Sequence, residues 1–283
     1  MHLSQPAFSR SIQAIEREVG LRLFDRETGE VKATAAGLFL IERARRLLFD
    51  ARSLQRDLAL YRDSQLGDIA FGVGPFPAAT IMPRVLPILR RLYPGVSLRV
   101  EVSNWKLMLE RLWAEDIEFF VSDVRDLPND PRLAIESLGR QSGHFYVRAG
   151  HPLLGRVCPL PEIWQYGIAA TKLPVFVKEV LGRFLGLPAG ELPSFVLECD
   201  DVGLLRTLAT STDTVIAATA SAVQGEVANG VLAALQADGV PVMYSQMGVV
   251  TLLNRTPSPM AQRALEAIRE TAAVVNDAPP DNS

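Results

Sequence analysis

The chain has little cysteine, little histidine and few aromatic residues: two Cys, three His and 7 % Phe, Trp and Tyr in 283 residues. Cys158 and Cys199 show neither CxxC spacing nor a neighbouring His cluster, which favours two ordinary thiols in a reducing compartment over a disulfide or a metal site. His2, His144 and His151 lie beside Ser-, Gly- and Pro-containing segments without a paired nucleophile or ligand spacing, so they read as structural or surface residues. GxSxG, HExxH and a phosphate loop ending in Gly-Lys-Ser or Gly-Lys-Thr are all missing. Gly72-Val73-Gly74 follows a strand-like run, but Pro77 stands where a dinucleotide loop needs its third glycine. Nothing assembles a nucleophile, a base and an oxyanion site, so an enzyme is not expected, and no cofactor or metal is implied. No segment approaches the roughly 18 consecutive apolar residues of a membrane span, and no apolar run follows N-terminal positive charge. The expectation is a cytoplasmic protein with no membrane association.

What the chain does have is enough apolar content, 48 %, for a sizeable core, and enough length for a small unit followed by a large one. Only Asn276–Ser283 reads as disordered by composition. The net charge of −3 is uneven: residues 1–62 carry 11 Lys and Arg against 8 Asp and Glu, a local +3, which leaves −6 for the rest. The front of the chain is the part compatible with nucleic acid.

Ser4–Gly20 predicts one helix, with Ser4 as N-cap, Pro6 in the first turn and Gly20 as terminator. Phe8, Ile12, Ile15 and Val19 recur at spacings of four, three and four and are expected to form a buried stripe. The opposite face shows Gln5, Ser9, Arg10, Gln13 and Arg17, donors suited to base edges, although a solvated face has the same pattern. Asp25–Lys32 reads as a Gly-containing polar hairpin flanked by Arg26 and Lys32. Thr34 then caps a long helix to about Arg62, in which Ile41, Ala44, Leu48 and Ala51, and Leu47, Leu54, Leu58 and Tyr61, recur at helical spacing. Its length fits a self-associating coiled coil or a packed domain helix.

From Gly67 short β-rich runs alternate with helical ones, which predicts an α/β domain with mostly parallel strands. The strand candidates are 68–73, 96–102, 119–121, 145–147, 168–171, 195–199, 215–218 and 249–254. Helices are expected at 80–93, 105–115, 176–184, 202–210, 220–229 and 259–275.

Ser4, Gln5, Pro6, Ala7, Ser9, Arg10, Ile12, Glu16 and Gly20 match the recognition-helix pattern S-Q-P-A-x-S-R-x-I-x-x-L-E-x-x-L-G of LysR-type transcriptional regulators, with conservative departures at Ile15 and Val19. Leu23-Phe24-Asp25-Arg26 resembles the family's L-F-x-R before the wing, and Thr34-Ala35-Ala36-Gly37 its T-x-x-G at the linker helix. The resemblance implies a partial winged helix-turn-helix at 1–33, since in the family a helix and most of a second precede this recognition helix, where here only Met1-His2-Leu3 stand. It further implies a dimerising linker helix at 34–64 and, at 67–283, a two-lobed effector domain shaped like periplasmic binding proteins. Lobe one is expected at 67–149 and 244–275, lobe two at 150–243.

The resemblance implies that Gln5, Pro6, Ser9 and Arg10 face the major groove of double-stranded DNA, with Gln13 beside them. Arg26 and Lys32 on the wing would hold phosphate or a minor groove. Strand C-termini and helix N-termini point into an interlobe cleft, which makes Gly74, Phe76, Thr80, Ser103, Asn104, Trp105, Asp123, Thr171 and Asp200 the candidates for a small-molecule effector. Ser103 and Asn104 serve equally well as plain helix caps. Because Gly74-Pro75-Phe76-Pro77 offers almost no hydroxyls, the effector is expected to be less polar than a simple organic acid. A homodimer or homotetramer is the expected assembly, with RNA polymerase as a further candidate partner. The competing reading is a solute-binding protein that captures a ligand without reading DNA.

Overall fold

The computed structural model describes residues 5–27, 30–63, 68–240 and 243–276, with the side chains of 5–8, 26, 27, 30, 57 and 59–63 left aside. The chain divides into two compact units, Met1–Leu58 and Ala59–Ser283.

The first unit opens with helix α1 (Gln5–Val19). Its stop is the one read from the sequence: Gly20 takes φ +72°, which only glycine adopts without strain, and its N–H donates to the Glu16 carbonyl at 3.0 Å. The hairpin is β1 (Phe24–Glu27) against β2 (Glu30–Ala33), in a register that sets Asp25 opposite Lys32. Helix α2 (Ala35–Asp63) follows, about 43 Å long at 1.5 Å per residue. Thr34 is its cap: the hydroxyl accepts from the Gly37 N–H at 3.0 Å and donates to the Arg22 carbonyl at 2.7 Å. The expected buried stripe on α1 needs correction, since Ile15 is 39 % and Val19 47 % exposed. Periodicity identifies which face is apolar, not what covers it. Phe8 lies outside the described side chains.

The second unit holds a mixed sheet whose strands lie in the order 97–102, 68–73, 119–123, 243–252, 133–148, 215–219, 168–170 and 197–198. In lobe one, β3 (Asp68–Val73) lies parallel to β4 (Ser97–Val102) and β5 (Phe119–Asp123). Their side chains alternate between two cores. Ile69, Phe71, Val73, Phe119 and Val121 pack under α4 (Met82–Leu92) and α10 (Pro259–Val275), while Phe120 turns to α5 (Trp105–Trp113) with Met108 and Leu112. Strands covered on both faces become nearly continuous apolar runs, which is why they were legible. In lobe two, β8 (Ile168–Ala170), β9 (Leu197–Glu198) and β10 (Val215–Thr219) repeat the arrangement between α7 (Val175–Phe184) and α8 (Val202–Ser211).

Two long strands join the lobes, β6 (Leu133–Arg148) and β13 (Met243–Leu252), paired antiparallel along their length. The expectation of a mostly parallel sheet therefore holds for the three strands at each end of the sheet and fails at its centre, where the β13–β5 and β10–β6 pairings are also antiparallel. The lobe boundary also moves. Leu138 packs on the lobe-one core, whereas Phe145 and Val147 belong to the lobe-two core with Leu153, Ile163 and Ile168. The chain thus crosses inside β6, before Phe145 and not after Ala149, because the strand does not end where the lobe does.

At this crossing sits Gln141, 1 % exposed. Its amide nitrogen donates to Thr80 Oγ1 of lobe one at 3.0 Å and to Asn276 Oδ1 beyond α10 at 2.7 Å, and its oxygen accepts from Thr219 Oγ1 of lobe two at 2.9 Å. One amide ties both lobes and the C-terminal helix. Gln141→Leu leaves the Thr219 hydroxyl without its acceptor and the Asn276 oxygen without its donor, a loss of about 1–3 kcal/mol for the buried Thr219 hydroxyl alone. Urea unfolding of the variant is expected to show a lowered midpoint with an unchanged m-value.

Candidate functional site

Two sites emerge, one in each unit. In the first, Ser9 is half-buried, and Arg10 and Gln13 are exposed on α1. The Arg17 Nε donates to the Gln13 carbonyl at 3.2 Å, which leaves the Gln13 amide uninvolved in that bond. Gln5 and Pro6 occupy the first turn of α1, and Arg26 stands on β1 opposite Val31; their side chains lie outside the described residues. Lys32 is exposed on β2. The sequence reading gave Glu16 no role beyond its place in the motif, yet it fixes the helix to the hairpin: its Oε1 accepts from the N–H groups of Leu23 at 2.8 Å and Phe24 at 3.1 Å. A carboxylate one turn before a helix terminator, reaching the start of the next element, is the signal that could have revealed it.

In the second unit a cavity of about 600 Å³ lies between the lobes. Of the expected effector residues, Phe76, Asn104, Trp105, Asp123, Thr171 and Asp200 line it. Gly74, Thr80 and Ser103 do not. Gly74 is a packing residue, since a Cβ there would lie 2.7 Å from Ser122 Oγ. The Thr80 hydroxyl donates to the Phe76 carbonyl at 2.8 Å and serves the Gln141 network. The N–H of Ser103 extends the β3–β4 pairing by donating to the Val73 carbonyl at 3.1 Å. Asn104 combines both anticipated roles, because its Oδ1 caps α5 by accepting from the N–H groups of Lys106 and Leu107 while the residue lines the cavity. Asp200 accepts from the Lys172 N–H at 3.1 Å.

Several of the lining residues missed in the sequence lie around Asp123. Arg125 grips it with Nε to Oδ1 at 3.0 Å and Nη2 to Oδ2 at 2.6 Å, and Ser245 donates to Oδ2 at 2.8 Å. The same guanidinium lies over Tyr244 at 5.0 Å and over Phe176 of lobe two at 5.2 Å, so it spans the cleft. Arg125 and Asp126 continue the strand-end logic that had already reached Asp123. Tyr244 and Ser245 were hidden because β13 starts at Met243, well before the expected Val249.

Asp126 faces α7 across the cleft and accepts from the Val175 N–H. Burial raises its carboxyl above the ordinary value of 3.8, the Asp123 charge adds to this, and Arg125, Lys106 and the Val175 N–H oppose it. A raised acid binds its proton more tightly folded than unfolded, so the stability it lends is complete below pH 3.8 and is lost as pH rises through the folded value. Asp126→Asn removes the charge and keeps an acceptor for Val175. Its thermal midpoint is expected to exceed the wild type at pH 7 and to converge on it at pH 3.5; an equal gap at both pH values would show that the charge is not the cause.

His151 is structural as read: Nδ1 accepts from the Leu153 N–H and Nε2 meets the Asp213 carbonyl, each at 3.1 Å. Among the described residues no helix is long and apolar enough to cross a membrane.

A capped helix with a polar exposed face beside a hairpin, and a two-lobed α/β domain closing on a cavity at its strand ends, together define a ligand-responsive DNA-binding regulator. The family described as the LysR substrate binding domain matches residues 62–273, and that of the bacterial regulatory helix-turn-helix protein, lysR family, matches residues 1–38. The chain belongs to the LysR family of transcriptional regulators. It is 36 % identical to the SDS degradation transcriptional activation protein of a Pseudomonas species, over 93 % of this chain and 86 % of that one. Among solved structures, full-length OxyR from Pseudomonas aeruginosa has the same fold with a TM-score of 0.65 at 19 % identity, covering 97 % of this chain and 87 % of that one. Full-length CbnR complexed with its target DNA gives a TM-score of 0.53 at 24 % identity, covering 96 % and 91 %.

Proposed function

We propose that the chain reads double-stranded DNA with Gln5, Pro6, Ser9, Arg10 and Gln13 of α1, and that Arg26 and Lys32 of the hairpin hold phosphate. The reading head is assigned to residues 1–33, the linker helix to 34–64 and the effector domain to 67–283. A small molecule in the interlobe cavity is the signal, sensed through Phe76, Asn104, Trp105, Asp123, Thr171 and Asp200 together with Arg125 and Tyr244. The protein is a cytoplasmic, non-enzymatic homodimer or homotetramer, with RNA polymerase as the partner it influences.

The observation that carries this reading is the pairing of two open faces on the first unit. Arg10 and Gln13 face solvent on α1. On α2, Leu47, Leu54 and Leu58 are 69 %, 59 % and 61 % exposed at spacings of seven and four. An apolar seam on a helix this long supports self-association, and a two-fold assembly presents two reading helices to two half-sites.

The test is retention on duplex DNA against salt, with the solution mass determined in parallel. Two or four chains per particle are expected, with affinity falling by roughly 10³–10⁵ between 50 and 200 mM salt for six to ten phosphate contacts. A folded monomer without DNA affinity would replace this reading with that of a solute-binding protein.

A further inference from the structure

The interlobe cavity is lined by four cationic side chains, Lys106, Arg125, Lys172 and Lys178, and four anionic ones, Asp123, Asp126, Glu198 and Asp200. These charges largely answer one another. Both Asp123 oxygens hold Arg125, the Lys178 ammonium pairs with Glu198, and Lys106 lies close enough to act on the charge of Asp126. Lys172 is exposed. An anion entering the cavity would have to displace a resident carboxylate from its cation or stay near it unpaired, and both are unfavourable in a partly dehydrated site.

The helix N-terminus that follows β3, another common anion receptor, is disabled here. Helix α3 (Pro75–Thr80) begins with Pro75 and has Pro77 two residues on, so two of its first three backbone positions carry no N–H. The N–H of Ala78 is already donated to the Gly74 carbonyl at 3.0 Å.

What the cavity does offer is a pair of neutral hydroxyls. Ser122, at the end of β5, is 4 % exposed, and Thr171, just beyond β8, is 3 % exposed; both line the cavity. Among the described residues neither hydroxyl has a hydrogen-bond partner. One belongs to each lobe. Neither oxygen is among the buried unpartnered polar atoms of the described residues, so each opens to the cavity and can take a donor or acceptor from a ligand in place of water. Much of the remaining wall is apolar, with Phe76, Trp105, Leu173, Phe176, Leu181 and Met243 from both lobes. A volume of about 600 Å³ suits a small molecule rather than a polymer.

We infer that the effector is an uncharged amphiphile, an apolar body bearing a hydroxyl or carbonyl group that joins Ser122 to Thr171, and not an organic anion. The inference rests on the reading of the interlobe cavity as the effector site. The polar group bridges the lobes while the apolar body fills the space between Phe76 and Leu181, so the ligand favours the closed arrangement by touching both sides at once.

Calorimetric titration of the intact chain with 1-decanol, decanoate and decyl sulfate, each below its micelle concentration, tests this. Decanol is expected to bind saturably, one per chain, at least tenfold more tightly than either anion. Equal or tighter binding of decanoate or decyl sulfate overturns the inference, as does an absence of binding by all three. Two variants separate this from a failure of the site reading. Ala217→Trp fills the cavity and should abolish decanol binding; if decanol binds it as it binds the wild type, the site lies elsewhere. Thr171→Val keeps the shape and loses the hydroxyl, and should weaken decanol three- to tenfold without moving the thermal midpoint of the free protein. Asp123→Asn frees Arg125 and is expected to strengthen decanoate binding about tenfold; unchanged decanoate affinity would contradict the charge-balance argument.

Discussion

Arg10→Ala is expected to abolish the preference of the protein for its operator over random duplex while leaving its salt-dependent attachment to DNA largely in place. Arg10 is exposed on the face of α1 that also carries Gln13. A guanidinium bound bidentately to a guanine edge contributes about 1–3 kcal/mol of discrimination, and a two-headed assembly loses that amount twice. The lost preference is therefore roughly 30- to 10⁴-fold, whereas the phosphate contacts proposed for Arg26 and Lys32 are expected to persist. Arg10→Lys restores the charge but not the planar fork, and is expected to recover attachment without recovering preference. Anisotropy titrations with operator and scrambled duplexes at two salt concentrations separate the two effects. Unchanged discrimination by Arg10→Ala would remove α1 from the reading role.

The second large effect is expected from Gly37→Ala. In an ordinary helix interior this substitution stabilises by about 1 kcal/mol, because alanine has the better propensity. Here the sign reverses. A Cβ at Gly37 would overlap the carbonyl oxygen of Leu23, and that carbonyl accepts the Thr34 N–H at 3.0 Å beside a Leu23 side chain that is 3 % exposed. Relief requires α2 to back away from the segment that joins α1 to the hairpin, which breaks the Thr34 cap as well. Overpacking of this kind costs about 1–3 kcal/mol, and it falls on the first unit. Urea unfolding is expected to show early loss of the first unit and of DNA binding, with the effector domain melting as in the wild type. Gly225→Ala is the control, since nothing lies within 4 Å of its Cβ position in helix α9 (Gln224–Ala228), and it should be neutral or slightly stabilising. Equal behaviour of the two variants would mean that the Gly37 contact is not what holds this junction.

These two residues also mark what the sequence could and could not convey. Local chemistry was legible wherever one residue fixed one terminus. Gly20 ends α1, Thr34 caps α2, and Ser258 before Pro259 starts a helix whose limits match the expectation at both ends. Helix α3 was missed because Pro75 and Pro77 read as loop, although proline is tolerated in a first helical turn. The 16 residues of β6 were reduced to Phe145–Val147, because its middle, Glu136–His144, is mostly polar and glycine-containing and becomes a strand only by pairing with β13. The cavity followed the same division. Placing ligand contacts at strand ends found Phe76, Asn104, Trp105, Asp123, Thr171 and Asp200, each fixed by its own strand or cap. Tyr244, Ser245 and the Gln141 network depend on where β6 and β13 cross between lobes, and that is set by tertiary pairing beyond the reach of local periodicity.

The same distinction separates the two functions. The reading head is specified by short-range motifs, which is why Glu16, Thr34 and Gly37 each turn out to hold the junction of helix and hairpin. The effector cavity is specified by hydrogen bonding between segments distant in sequence, such as Asp123 with Ser245 and Gln141 with Thr219. Its chemistry becomes visible only once those partners are seen together.

The most direct test of the central claim is selection of bound duplexes from a random-sequence pool by the intact chain. The account predicts enrichment of a two-fold-related sequence whose half-sites are spaced by whole turns of the double helix, and loss of that enrichment with Arg10→Ala. Recovery of an unenriched pool by wild-type protein that melts cooperatively and binds ligand in its cavity would contradict it.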